Sequence, residues 1–185
     1  MDRNFILQML APVPDQREGR EVRQRINAFL EGHWGAVTMM VRGEQVDMSQ
    51  LPGIFVEEGG QITALLTYRI QGERCEIISL DSVIGGRGVG TALIEAAAAI
   101  AQKAGCRTLA VTTTNDNLNA LRFYQKRGFA LAALYRGSVD EARKTKPQIP
   151  LEGEDGIPIH SEIELERSII SGAGQAEAAP NPRPS

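Results

Sequence analysis

The sequence predicts a mixed α/β fold, with a central, mostly antiparallel sheet flanked by helices. Three observations predict it. Short apolar and β-branched runs follow one another between residues 54 and 83, separated by glycine turns. From Gly85 onward the pattern changes to alternating helix and strand. The length, 185 residues, and a composition of 42% hydrophobic and 23% charged residues suit one soluble domain with at most an appendage.

The elements follow in order. "NFILQML" reads as a first strand, broken by "APVPDQ". Val22, Ile26, Phe29 and Leu30 recur at helical spacing, so residues 15–30 read as an amphipathic helix that ends at Gly32. "AVTMMVRG" reads as a strand and "VDMSQLPG" as a loop punctuated by Pro52 and Gly53. Residues 54–57, 61–70 and 74–83 form an antiparallel meander, turning at Gly59-Gly60 and at "QGE". "TALIEAAAAIAQKAG" is rich in strong helix formers and is closed by Gly105. "CRTLAVTTT" reads as a buried strand, residues 118–127 as a helix stopped by Gly128, and "FALAALYRG" as another strand. Residues 138–146 read as a short helix ended by Pro147, followed by a long loop and a last strand in "IHSEIELERSI". From Ser171 the chain is small and Pro-rich, so the expected domain is 1–168 with a structureless tail over 169–185.

The bulk numbers exclude several functions. A net charge of -3 disfavours nucleic acid as a partner, since such binding needs a basic surplus. Cys75 and Cys106 have no metal-ligand spacing and read as reduced core residues, which fits a cytoplasmic protein without a metal. The start lacks an uninterrupted apolar run, and the longest apolar stretch, 92–101, is broken by Glu95, so neither a signal peptide nor a membrane span is expected.

"GGRGVGT" joins a strand to a helix. Such a turn aims backbone N–H groups into one concavity, and the helix start adds partial positive charge, so phosphate is its natural guest. A Walker A loop would need lysine after Gly90, where Thr91 and Ala92 stand. A dinucleotide fingerprint fails at Leu93. A pyrophosphate of coenzyme A type is the third option, beside a plain flexible connection.

The helix "NLNALRFYQKR" aligns Asn117, Ala120, Leu121 and Tyr124 on one stripe. Apolar packing alone needs neither the asparagine nor the phenol. Taken together, "GGRGVGTALI" and "NLNALRFYQKRGF" resemble the GCN5-related N-acetyltransferases (GNAT), and the order of elements from about Asn4 to Arg167 fits that fold. Within the family the chain is similar to small bacterial members of unassigned substrate.

The resemblance implies acetyl-CoA as acyl donor and direct attack of an amine on the thioester. It implies that the backbone of Arg87, Gly88, Val89, Gly90 and Thr91 holds the pyrophosphate. The main chain of Leu80, Asp81 and Ser82 would bond the pantetheine arm, and Asn117 would touch the same arm. Tyr124 would sit by the sulfur as the acid that protonates the leaving thiolate. Glu76 falls at the family's acidic strand position and is the candidate base, with Asp81 as the weaker alternative. Glu76, Ile78 and Leu80 are expected on one strand face. The acceptor would be a small-molecule amine or a protein or peptide amine, and the oligomeric state stays open, a homodimer being one option. Gly85 stands where the family usually has Gln or Arg. Trp34 stands at the acceptor side, either to stack on a substrate or to cap the core. Arg143, Lys144 and Lys146 read as a solvated helix end before they read as an anion site. The rival class is a non-catalytic acyl-CoA sensor or interaction module, which would keep the glycine turn and have no use for Glu76 or Tyr124.

Overall fold

A computed structural model describes residues 5–11, 17–153 and 155–170. The tail predicted from Ser171 lies outside them. The elements are β1 (Leu7–Leu10), α1 (Arg17–Trp34), β2 (Thr38–Val41), β3 (Glu44–Asp47), β4 (Gly53–Glu58), β5 (Gln61–Gln71), β6 (Arg74–Ser82), α2 (Val89–Lys103), β7 (Thr108–Thr114), α3 (Leu118–Gln125), β8 (Ala130–Tyr135), α4 (Ser138–Thr145) and β9 (Glu162–Ser168). Seven strands form one sheet in the order β1-β4-β5-β6-β7-β9-β8, while β2 and β3 pair separately. Every neighbouring pair is antiparallel except β6 and β7.

Two apolar clusters sandwich the sheet. On one face α2 presents Val89, Leu93, Ala97 and Ala101 at successive i, i+4 positions against Leu66 and Ile77. The alanines let this helix lie close to the strands. Each fully buried Leu or Ile there contributes about 1.5–3 kcal/mol relative to exposure. On the other face Ile26 and Leu30 of α1 pack with Val41, Met48, Phe55 and Leu65.

The sheet splits in the middle. The parallel ladder between β6 and β7 runs only from Arg74↔Thr108 to Ile77↔Val111. Beyond it β6 stays with β5 as far as Ser82↔Ala64, and β7 stays with β9 as far as Thr114↔Glu162. Among the described residues the second half of β6 therefore has a strand on one side only, and its main-chain groups on the β7 side meet no ladder.

A bulge sharpens the split. Thr67 pairs with Ser79 and Tyr68 with Ile77, which leaves Ile78 as an extra residue in β6. The alternation of side chains therefore shifts by one. Ile78 packs in the α1-side cluster, whereas Leu80 packs against the α2-side cluster. The expectation that Glu76, Ile78 and Leu80 share a face is corrected here, because strict alternation assumes an unbroken strand.

Val46 and Asp47, read as the start of a loop, belong instead to the strand β3. With one buried residue, Val46, in four, β3 carries no readable alternation. The hairpin that it makes with β2 turns at Arg42 and Gly43, both at positive φ (48° and 80°).

Candidate functional site

The groove opens where β6 and β7 part. It has a volume of about 620 Å³, and its walls are Leu80 and Ser82 of β6, the glycine turn, the start of α2, and Ala120, Phe123 and Tyr124 of α3. The turn reaches this shape through left-handed backbone at Gly86 (φ 77°) and Gly88 (φ 74°), which side chains with a Cβ rarely adopt. Gly88 is also the residue that precedes α2, and no side chain caps that helix end. Acidic residues are absent from its first turn. The N–H groups at the start of α2 thus lack an internal acceptor and carry the positive end of a helix of 15 residues. Arg87, in the same turn, pairs with Glu58 at 2.7 Å. Gly90 fits because a Cβ there would sit 3.0 Å from the Phe123 ring.

Tyr124 stands on the groove wall. Its ring meets Phe123 and Phe129 edge-on at 5.2 and 5.3 Å. Its hydroxyl makes no hydrogen bond among the described residues. Burial pushes the phenol well above the usual tyrosine range, the charge of Asp81 adds to the shift, and Arg127 opposes it. The group stays protonated throughout the neutral range and keeps a proton to give. Asn117 is the N-cap of α3, its side-chain oxygen accepting from Ala120 N at 3.0 Å. Asn119 lines the groove instead. One further residue, Arg127, was not foreseen in the sequence. Arg127 stacks 3.5 Å from the Phe123 centroid and donates to Thr91 Oγ1 at 2.7 Å, locking α3 to the first turn of α2. It also lines the groove.

The opposite face of the split carries charge. Glu76 is 3% exposed, and both its oxygens are taken. Arg42 donates to Oε1, and Arg69 to Oε2 at 2.9 Å. Burial works to raise this carboxyl, and the hydrogen bonds and charges of Arg42 and Arg69 outweigh it, so it titrates below the ordinary range. Arg42 also reaches Thr112 Oγ1 at 2.7 Å and Glu164 at 3.1 Å, while its main-chain N–H donates to both oxygens of Glu162. Nothing in the local sequence marks this network, since its members lie up to 120 residues apart.

Asp81 lies on this face too, between the groove-lining Leu80 and Ser82. Trp34 Nε1 donates to its Oδ2 at 2.8 Å. Burial raises the carboxyl above its ordinary range, against the Trp34 hydrogen bond and the charge of His33. Trp34 is 47% exposed and therefore does not cap the core. Farther away, Arg143 ties the loop after α4 by donating to the carbonyls of Ile149 and Ile159, and Lys146 donates to Thr38 O. Cys75 and Cys106 are buried and free. Among the described residues no helix is long and apolar enough to cross a membrane, and no group of His, Cys, Asp and Glu side chains is placed to hold a metal ion.

Known proteins share this fold. The sequence profile of the acetyltransferase (GNAT) family matches residues 20–129. The uncharacterized proteins YxbD and YdhI of Bacillus subtilis (strain 168) are each 41% identical, over 78% and 80% of this chain and 91% and 92% of their own lengths. Among solved structures, the IAA acetyltransferase from Bacillus cereus ATCC 14579 superposes with a TM-score of 0.61 at 18% identity, covering 89% of this chain and 99% of that one. A Bacillus subtilis acetyltransferase in complex with CoA gives 0.59 at 14% identity, covering 90% and 100%. A GNAT family acetyltransferase from Elizabethkingia anophelis with acetyl-CoA bound gives 0.60 at 14% identity, covering 90% and 99%.

Proposed function

This chain belongs to the acetyltransferase (GNAT) family, and from that premise we propose that it transfers an acetyl group from acetyl-CoA to the amine nitrogen of an acceptor, by direct attack on the thioester. One observation carries the reading: the uncapped start of α2 and the half-paired strand β6 line the same groove as the Tyr124 phenol.

Each part has a chemical use. The N–H groups that follow Gly88, over Val89, Gly90 and Thr91, hold the pyrophosphate with the helix dipole behind them. The free edge of β6 at Leu80, Asp81 and Ser82 accepts the amide-bearing pantetheine arm as though it were a further strand. That arm leads the sulfur toward Tyr124, whose phenol keeps its proton through the neutral range and can give it to the departing thiolate. Arg87 reaches a phosphate by exchanging its Glu58 partner. Asn117 acts on the arm indirectly, by fixing where α3 starts. Neither cysteine sits in a nucleophile's surroundings: burial pushes the Cys75 thiol up to about 12, so a covalent acetyl-enzyme is not part of the reading. The catalytic unit is the domain 1–168 together with Ile169, which is buried in the α2-side cluster, and the reducing cytoplasm is its compartment.

The relatives carry no assigned acceptor, so the acceptor is given by class as a small-molecule amine or a peptide amine. A screen of such amines for thiol release from acetyl-CoA tests the reading. Amine-dependent release supports it. Acetyl-CoA binding without release from any amine points to the sensor alternative and rejects the transferase.

A further inference from the structure

The groove occupies the α2–α3 side of the split, so a second reactant must approach the thioester from the α1 side. Of the carboxylates on that side, Glu76 and Asp81 belong to β6, and they are not equivalent. Glu76 has an arginine on each oxygen. A carboxylate so held gains little by taking a proton, and doing so breaks two charge-assisted hydrogen bonds. Asp81 is different. Its Oδ2 is fixed by Trp34, while Oδ1 has no partner among the described residues. It belongs to the half of β6 that leaves the ladder, flanked by the two groove-lining residues of that strand. The titratable groups that face it are His33 from α1 and Tyr124 from α3, and β5 places the apolar Leu65 opposite. Among the described residues no cation forms an ion pair with it.

We propose that Asp81 is the base that deprotonates the acceptor amine, and that the exposed indole of Trp34 orients its carboxylate and forms the wall along which the acceptor enters. The assignment rests on the acetyltransferase reading above. An alkyl ammonium resembling lysine, with a pKa near ~10.4, is almost entirely protonated at neutral pH and must lose a proton before it attacks. Asp81 takes that proton and later returns it to solvent. The freed nitrogen then forms a bond to the thioester carbon while the carbon–sulfur bond breaks, its electron pair going to sulfur. Tyr124 protonates the sulfur and is restored by the second proton that the acetylated nitrogen sheds. The raised carboxyl of Asp81 strengthens it as a base relative to a solvated aspartate.

The test compares the wild type with Asp81→Asn, Trp34→Phe and Glu76→Gln. Asn retains an oxygen for the Trp34 hydrogen bond, so Asp81→Asn preserves the fold. Calorimetry first measures acetyl-CoA affinity, and thiol release is then followed against pH with spermidine, tyramine, an alanyl peptide and hydroxylamine. Hydroxylamine is already unprotonated at neutral pH and needs no base. Asp81→Asn is expected to bind acetyl-CoA as the wild type does and to lose about 10²–10⁴-fold in alkylamine turnover at neutral pH. Its rate with alkylamines should climb continuously toward alkaline pH, and its hydroxylamine rate should be kept. Trp34→Phe should raise KM for the larger amines and shift the acid limb of the pH profile. Unchanged alkylamine turnover and pH profile in Asp81→Asn, or a loss confined to Glu76→Gln, overturns the assignment. A wild type that binds acetyl-CoA and acetylates none of the four probes overturns the transferase reading beneath it.

Discussion

The paired arginines around Glu76 give a stability prediction that depends on nothing about the substrate. Glu76→Gln keeps the shape of the side chain and removes its charge. The carboxylate is 4% exposed, and the guanidiniums of Arg42 and Arg69 are 21% and 13% exposed, so none of the three is well solvated. Removing one partner of a buried ion pair costs about 3–5 kcal/mol, chiefly because the other charge is stranded. Here Arg42 keeps Glu164 at 3.1 Å and Arg69 keeps Glu44 at 2.8 Å, which favours the low end, about 3 kcal/mol. For a chain of this size each kcal/mol lowers Tm by about 2–4 °C, so the expected fall is about 6–12 °C at pH 7. The Glu76 carboxyl is held below the ordinary range in the fold. Its stabilisation is therefore complete above the unfolded glutamate pKa of ~4.3 and is lost as pH falls below it. The gap between wild type and variant should close on acidification. Thermal melts of both proteins, followed by circular dichroism from pH 7 down to about 3, supply the assay. A Tm shift under about 2 °C at pH 7, or a gap that widens in acid, would refute the reasoning.

Two further outcomes are expected. Tyr124→Phe should lower kcat by about 10²–10⁴-fold while acetyl-CoA affinity in calorimetry stays unchanged, since the phenol acts only on the leaving thiolate; equal turnover would remove Tyr124 from the mechanism. Asn117→Ala should cost about 1 kcal/mol through the lost cap of α3, hence about 2–4 °C in Tm; an unaltered melt would mean that the Asn117–Ala120 bond carries no weight.

Much of the fold was legible because its signals are local. The alanine-rich helix, the glycine turn and the strand pattern of residues 54–83 each announce themselves within a dozen residues, and the structure has each of them in place. What failed to announce itself is non-local or too short. β3 holds four residues, and no periodicity can be read from four. The bulge at Ile78 depends on how β6 meets β5, and it alone moves Leu80 to the face opposite Glu76. The site divides in the same way. Tyr124 and the glycines were found because one short motif contains each group. The clamp on Glu76 and the Trp34–Asp81 contact were not, because they join residues 34 and 47 positions apart. Asn117 was legible as a residue with a purpose, although its oxygen serves the helix end rather than the groove.

The most direct measurement is a calorimetric titration of acetyl-CoA into the wild type and into Gly88→Val. Gly88 holds the left-handed backbone (φ 74°) that opens α2 toward the groove, a conformation that valine rarely adopts. The account predicts one acetyl-CoA bound per chain, and no measurable heat of binding from a Gly88→Val protein that still melts cooperatively. A folded variant that binds acetyl-CoA as tightly as the wild type would contradict it.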